Sequence, residues 1–156
     1  MNNIIPEVIK INNNNVILIN KKSKLIAIEC FILKNLESID KNNIGINHFL
    51  EHIILNSYKK CKNKCLNYFK KIGIKNNAYV TYDHINYNIS GFKTDSELML
   101  TYLINIINNP IFNNKIIDFE KNAVINELLI NIDNLNYDIY DIINKNIFSI
   151  DAFKYL

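Results

Sequence analysis

Two of the chain's three histidines lie four residues apart in the stretch HFLEH, at His48 and His52. On an α-helix, side chains at positions i and i+4 lie on the same face, so both imidazoles can direct a nitrogen to one point. Neutral imidazole is the commonest zinc ligand, and a catalytic zinc usually has three protein ligands and one water. The spacing therefore predicts a metal site that needs a third ligand from another element.

Glu51 directly precedes the second histidine, which makes the stretch an inverted zinc motif, H-x-x-E-H. Its carboxylate is offset from the ligand face but close enough to take a proton from a metal-activated water and later deliver it. The motif predicts hydrolysis with Glu51 as general base and without a covalent enzyme intermediate. The structural alternative is a helix that carries these histidines incidentally.

The best segment for the third ligand is FEKNAVINELL, at residues 119–129. Glu120 and Glu127 are seven residues apart, which is two helical turns, so they project from nearly the same face. One can bind the metal, and the other can hydrogen-bond a ligating imidazole and fix its tautomer. The segment is otherwise largely apolar, so an unpaired buried carboxylate would be costly there and a nearby cation would offset that cost.

The cysteines and the third histidine are also candidate metal ligands. Cys61 and Cys65 also have i, i+4 spacing and could join the histidine pair in a Cys2His2 zinc site. That site would leave Glu51 without a role, so we expect reduced, inert thiols. His84 falls in a predicted turn between two strands, where an exposed structural role is favoured over metal binding.

Composition limits the class of protein. The 156 residues are 49% hydrophobic, enough for one domain with a core. The net charge of +3 comes from scattered lysines, which does not indicate a nucleic-acid partner.

No apolar run is long enough to span a membrane. Three cysteines without a secretory signal predict a cytoplasmic setting, with a mitochondrial or viral setting left open.

Hydrophobic periodicity orders the chain as strands, helices, strands and helices, which indicates an α+β fold with an antiparallel sheet packed against several helices. We find no linker or repeat, and we expect a single domain over residues 1–156. The predicted elements are a strand meander at 8–33, helices from about 44 and at 60–72 (the second capped by Gly73), strands at 77–82 and 85–92, and helices at 95–108, 113–131 (capped by Asn113 or Asn114) and 138–148.

Three motifs in this order resemble the inverted zinc-motif peptidases of the pitrilysin, insulysin and mitochondrial processing peptidase type. They are GINHFLEHI at 45–53, NNAYVTYDHINYNI at 76–89 and FEKNAVINELL at 119–129. The chain departs from the family at KNLES and LNSYKK, where the family usually has Gly-Ser and Gly-Thr turns.

The resemblance implies a zinc-dependent endopeptidase with one zinc per chain. It implies that His48, His52 and Glu127 are the zinc ligands. Glu51 would then be the general base, and Glu120 would be a supporting acid of the catalytic site. These roles agree with the chemistry expected of the residue types and their spacing.

The resemblance also implies a substrate and a partner. In the family an Asn-Ala pair opens a sheet-edge strand on which the substrate lies as an added strand, and Asn77, Ala78 and Tyr79 occupy that place. The substrate would be a peptide or unfolded protein. Family members combine several larger related domains, so this chain is expected to be an incomplete N-terminal domain that works with a second peptidase-like domain or subunit. The alternative function is a non-catalytic peptide-binding or scaffold subunit of such an assembly.

Overall fold

A computed structural model describes residues 5–34, 45–57, 62–81 and 83–132, with Ile142 and Asn146. Four predicted features lie wholly or largely outside the described residues. They are the helix at 138–148, the turn KNLES, the second half of LNSYKK, and the cysteine pair, since Cys61 and the side chain of Cys65 are not described.

The described residues form antiparallel sheets and α-helices, which confirms the predicted α+β fold class. The strands are β1 (Glu7–Ile11), β2 (Asn14–Leu18), β3 (Leu25–Leu33), β4 (Lys75–Val80) and β5 (His84–Phe92). The helices are α1 (Ile46–Asn56), α2 (Lys62–Lys71), α3 (Ser96–Asn108) and α4 (Asn114–Ile132).

The prediction that residues 8–33 form one antiparallel meander is wrong, because the third strand does not pair with the second. β1 and β2 form a separate two-stranded hairpin, and β3 instead pairs antiparallel with β5, from Leu25 opposite Phe92 to Leu33 opposite His84. Local alternation predicts that a segment is a strand but not which strand it joins. The partner of β3 is decided by burial of one face against a distant segment.

The main sheet has the order β3-β5-β4, with β5 in the centre. β4 and β5 pair across the turn at Asp83, as predicted. Ile85, Tyr87 and Ile89 alternate along β5 and are at most 5% exposed, because they face the helices and form the middle of the core. Among the described residues, β4 has no strand on its outer side.

Helix α2 ends in a paired-hydrogen-bond cap that fixes its exit into β4. Gly73 has a φ of 78°, and the amide of Ile74 donates to the carbonyl of Phe69 at 2.9 Å. Both Phe69 and Ile74 are buried in the core, which is the hydrophobic contact that accompanies this type of cap. The predicted cap at Gly73 is therefore confirmed.

Helix α4 begins where the sequence predicts. The side chain of Asn113 accepts a hydrogen bond from the amide of Ile116 at 3.0 Å, so Asn113 caps the helix. The helix then packs against α1, while α1 also contacts β4 and the core. Within the described ranges no helix is long and apolar enough to cross a membrane.

Candidate metal centre

Helix α1 has one face in the core and one face toward α4. Ile53 and Ile54 are 4% and 7% exposed, and Ile54 belongs to the main core cluster. His48 and His52 lie on the face toward α4, half-buried, with their Nε2 atoms 3.2 Å apart. The helical spacing thus brings two imidazole nitrogens together, as the sequence led us to expect.

Glu127 of α4 completes a triangle of potential ligand atoms. Its Oε2 lies 3.6 Å from Nε2 of His48 and 3.4 Å from Nε2 of His52. Tetrahedral zinc with bonds of about 2.0–2.2 Å to nitrogen and oxygen places its ligand atoms about 3.4 Å from one another. The three atoms are therefore spaced as one tetrahedral ion requires, and these residues fit the metal that the motif implies.

Glu120 contacts the other nitrogen of His52. Its Oε2 lies 3.2 Å from Nδ1 of that ring, and the glutamate is only 3% exposed. An ionised carboxylate can only accept, so this contact favours the tautomer in which Nδ1 carries the proton. Nε2 of His52 then presents a lone pair toward Glu127 and His48, as a metal ligand must.

Glu51 is buried next to the ligand triangle. It is 5% exposed, and its Oε2 lies 4.0 Å from Nε2 of His52. Burial raises the pKa of the Glu51 carboxyl, an effect that His52 partly opposes and that Glu127 and Glu120 increase. A carboxylate with a raised pKa accepts protons more readily near neutral pH, which suits a general base.

The electrostatic setting of His48 also suits ligation. Burial lowers the pKa of this imidazole below its ordinary value, with His52 acting in the same direction and Glu127 against it. Desolvation disfavours the charged form of a histidine, so the neutral, ligating form prevails.

The segment expected to bind substrate forms the edge strand β4. Asn77 and Tyr79 point to the face of the sheet away from the core and are exposed, Tyr79 by 43%. Ala78 lies between them on the core side and is partly buried. Because α1 packs against β4, this strand is a direct neighbour of the helix that carries His48, Glu51 and His52.

His84 does not have the exposed position that we expected. It is the first residue of β5, its side chain is 19% exposed, and its Nδ1 lies 2.8 Å from Oδ1 of Asp83 and 2.9 Å from Oγ1 of Thr81. The imidazole ring also lies edge-on to the ring of Phe31, with the two ring centroids 5.3 Å apart. These contacts belong to the closing turn between β4 and β5 and hold the imidazole in a half-buried setting.

One polar group near the site was not singled out from the sequence. The hydroxyl of Tyr102 on α3 lies 3.3 Å from the carbonyl oxygen of Leu55 and 3.2 Å from the side-chain nitrogen of Asn76. In the sequence, Tyr102 is one more large residue at helical spacing, which predicts core packing. A hydrogen bond to another element leaves no signal in that spacing.

The profile of the family described as Insulinase (Peptidase family M16) matches residues 38–152. No curated protein matches the chain.

Among solved structures, the crystal structure of a protease from Helicobacter pylori superposes with a TM-score of 0.71 at 20% sequence identity. The match covers 80% of this chain and 30% of that chain, so the present chain spans less than a third of that protease. The likeness shows a common fold. Since the family profile covers well over half of the sequence, the chain belongs to the insulinase family of peptidases, family M16.

Proposed function

We propose that this chain is a zinc-dependent endopeptidase domain that cleaves peptide bonds by general-base catalysis. The observation that supports the proposal most strongly is the triangle of His48 Nε2, His52 Nε2 and Glu127 Oε2, with sides of 3.2, 3.4 and 3.6 Å. Three neutral or anionic donors at this spacing leave a fourth tetrahedral position for water, as in catalytic zinc sites.

When bound, zinc would supply a Lewis acid that lowers the pKa of a water molecule and polarises the scissile carbonyl. Glu51 takes the proton from the attacking water as the water oxygen forms a C–O bond to the scissile carbonyl carbon. It then delivers that proton to the amide nitrogen as the C–N bond breaks and the amine leaves. Glu120 holds Nδ1 of His52 and thereby keeps that ring in the ligating tautomer and orientation.

The substrate would be an extended peptide or unfolded protein that adds as a strand to the outer side of β4. Main-chain hydrogen bonds from residues 77–79 would fix the peptide and tolerate many sequences. The free outer side of β4 among the described residues and the packing of α1 on β4 support this placement. A second peptidase-like domain or subunit would complete the site, since the chain corresponds to 30% of the similar protease.

The edge position of β4 among the described residues also supports a second candidate function. The chain would then be a non-catalytic peptide-binding subunit of a larger peptidase-like assembly. This function would need the strand edge of β4 but not the proton transfer of Glu51. The two functions therefore differ in what a change at Glu51 does.

The deciding experiment compares the wild type with Glu51→Gln, which keeps the shape of the side chain but not the base. Zinc content and cleavage of an unstructured fluorogenic peptide are measured, and Glu97→Gln on the exposed side of α3 is the matched control. We expect the control to match the wild type, and Glu51→Gln to keep zinc but lose about 100-fold or more in kcat. Full activity in Glu51→Gln would refute the base, and zinc-dependent peptide binding without turnover in any variant would favour the non-catalytic function.

A further inference from the structure

Tyr102 joins three elements through one hydroxyl group. The residue lies in the middle of α3 and is 2% exposed. Its hydroxyl donates to the carbonyl of Leu55 at 3.3 Å and accepts from the side-chain amide of Asn76 at 3.2 Å. A phenol has one proton to donate and lone pairs to accept with, so both bonds can exist at once.

The first of these bonds holds the end of the metal-site helix. α1 ends at Asn56, so the carbonyl of Leu55 is among the last four, which have no partner inside the helix. Leu55 follows His52 by three residues, which is about 4.5 Å along the helix axis. The Tyr102 hydroxyl therefore anchors α1 within one turn of a proposed zinc ligand.

The second bond holds the proposed substrate strand. Asn76 lies opposite Ile89 in the sheet, and Ile89 is fully buried on the side that faces the helices. A polar amide on that side needs a hydrogen-bond partner, and Tyr102 provides one. The next residue, Asn77, begins the segment expected to bind the peptide.

Packing fixes the tyrosine ring itself. The ring of Phe69 on α2 lies edge-on to it, with centroids 5.0 Å apart and an interplanar angle of 81°. Phe69 is 1% exposed and belongs to the same core cluster as Tyr102. A ring held in this way can set the distance between the two groups that its hydroxyl binds.

We infer that Tyr102 is a positioning residue that sets β4 relative to α1, and so sets a bound peptide relative to Glu51 and the metal ligands. The inference rests on the proposed function for its catalytic consequence. The two hydrogen bonds meet at one oxygen atom, and each ends on an element that the proposed reaction requires. Loss of that oxygen should misplace substrate without removing any metal ligand.

The test is Tyr102→Phe, which removes only the hydroxyl. We expect zinc affinity to match the wild type and kcat for an unstructured peptide to fall about tenfold, because small errors in substrate position slow the reaction. The control is Tyr68→Phe, which removes the same group from a tyrosine on α2 that is 51% exposed. A kcat for Tyr102→Phe equal to that of the control would overturn the inference.

A second variant separates positioning from a general loss of stability. Asn76→Leu removes the hydrogen bond between β4 and the Tyr102 hydroxyl and leaves the hydrogen bond from that hydroxyl to Leu55 in place. If the two residues act through one link, the double variant loses no more kcat than the worse single variant, whereas independent effects multiply. Multiplied losses would contradict the inference.

Hydrogen exchange at the β4 amides that pair with β5, measured without metal or peptide, keeps the two proposals distinguishable. Faster exchange in Tyr102→Phe than in Tyr68→Phe would support the link even if the wild type cleaved no peptide, a result that would count against the proposed function alone. Equal exchange in the two variants would overturn the inference whatever the activity.

Discussion

Glu120 of α4 and His52 of α1 are 68 residues apart in the chain and 3.2 Å apart at Oε2 and Nδ1. The glutamate is 3% exposed, so the contact is shielded from water. This pairing decides which nitrogen of His52 carries the proton, and it leaves Nε2 free to face His48 and Glu127. The contact with His52 also explains why α4 carries a carboxylate, that of Glu120, on its buried side.

Replacement of Glu120 by leucine tests this pairing. We expect zinc affinity to fall about 10- to 100-fold, because the ring of His52 loses the partner that fixes its tautomer. The metal-free chain should lose only about 1–3 kcal/mol of stability, because the half-buried Nδ1 donor of His52 is left without its partner. Competition with a zinc chelator gives the affinity, and urea unfolding gives the stability.

Glu97→Leu on the exposed side of α3 is the control for that substitution and should bind zinc as the wild type does. If Glu120→Leu also bound zinc with wild-type affinity, Glu120 would have no part in the metal site.

The lowered pKa of His48 predicts a pH dependence of stability in the metal-free chain. Burial, its main cause, lowers the pKa below the ordinary value of 6.5 in the folded state. Just below that pH the unfolded chain binds more protons than the folded chain, so the free energy of unfolding falls as pH decreases through this window.

His48→Gln removes this group and should reduce the loss of stability on acidification. Urea unfolding in the presence of chelator, between about pH 7 and pH 5, measures the difference between the two proteins. Glu51 also has a raised pKa, but it is present in both proteins, so its contribution cancels in the difference between their slopes. Equal slopes with pH would show that His48 titrates alike in the folded and unfolded chain.

Gly91 on β5 allows α3 and the connection between α2 and β4 to approach the sheet. A Cβ atom at this position would lie 2.9 Å from Cγ1 of Ile74 and 3.1 Å from Sδ of Met99. Gly91→Ala should therefore lower the free energy of unfolding by about 1–3 kcal/mol, because buried neighbours must move. Ser90→Ala is the neighbouring control, and an unchanged melting temperature in Gly91→Ala would contradict the close approach.

Much of the site could be predicted from local spacing. His48 and His52 share a helix face because of their i, i+4 positions, and Glu120 and Glu127 share one because seven residues make two turns. The helix start at Asn113 and the helix end at Gly73 follow from capping preferences. These features depend on short stretches of sequence, in which backbone geometry alone fixes the direction of a side chain.

The features that were missed depend on contacts between distant segments. β3 pairs with β5 and not with β2, because that pairing buries one face of β3 in the core. The alternation of residues within 8–33 carries no information about this distant partner. The half-buried setting of His84 depends on Phe31 of a strand far away in sequence. In the same way, the link through Tyr102 depends on two partners that only the fold brings together.

The central claim is that His48, His52 and Glu127 bind one zinc ion, and X-ray absorption of the zinc-loaded chain tests it most directly. The account predicts one zinc per chain with only nitrogen and oxygen ligands at about 2.0–2.2 Å, two of them imidazoles, and loss of tight binding in Glu127→Gln. A sulfur shell at about 2.3 Å would indicate cysteine ligands instead. That result, or full zinc affinity in Glu127→Gln, would contradict the account.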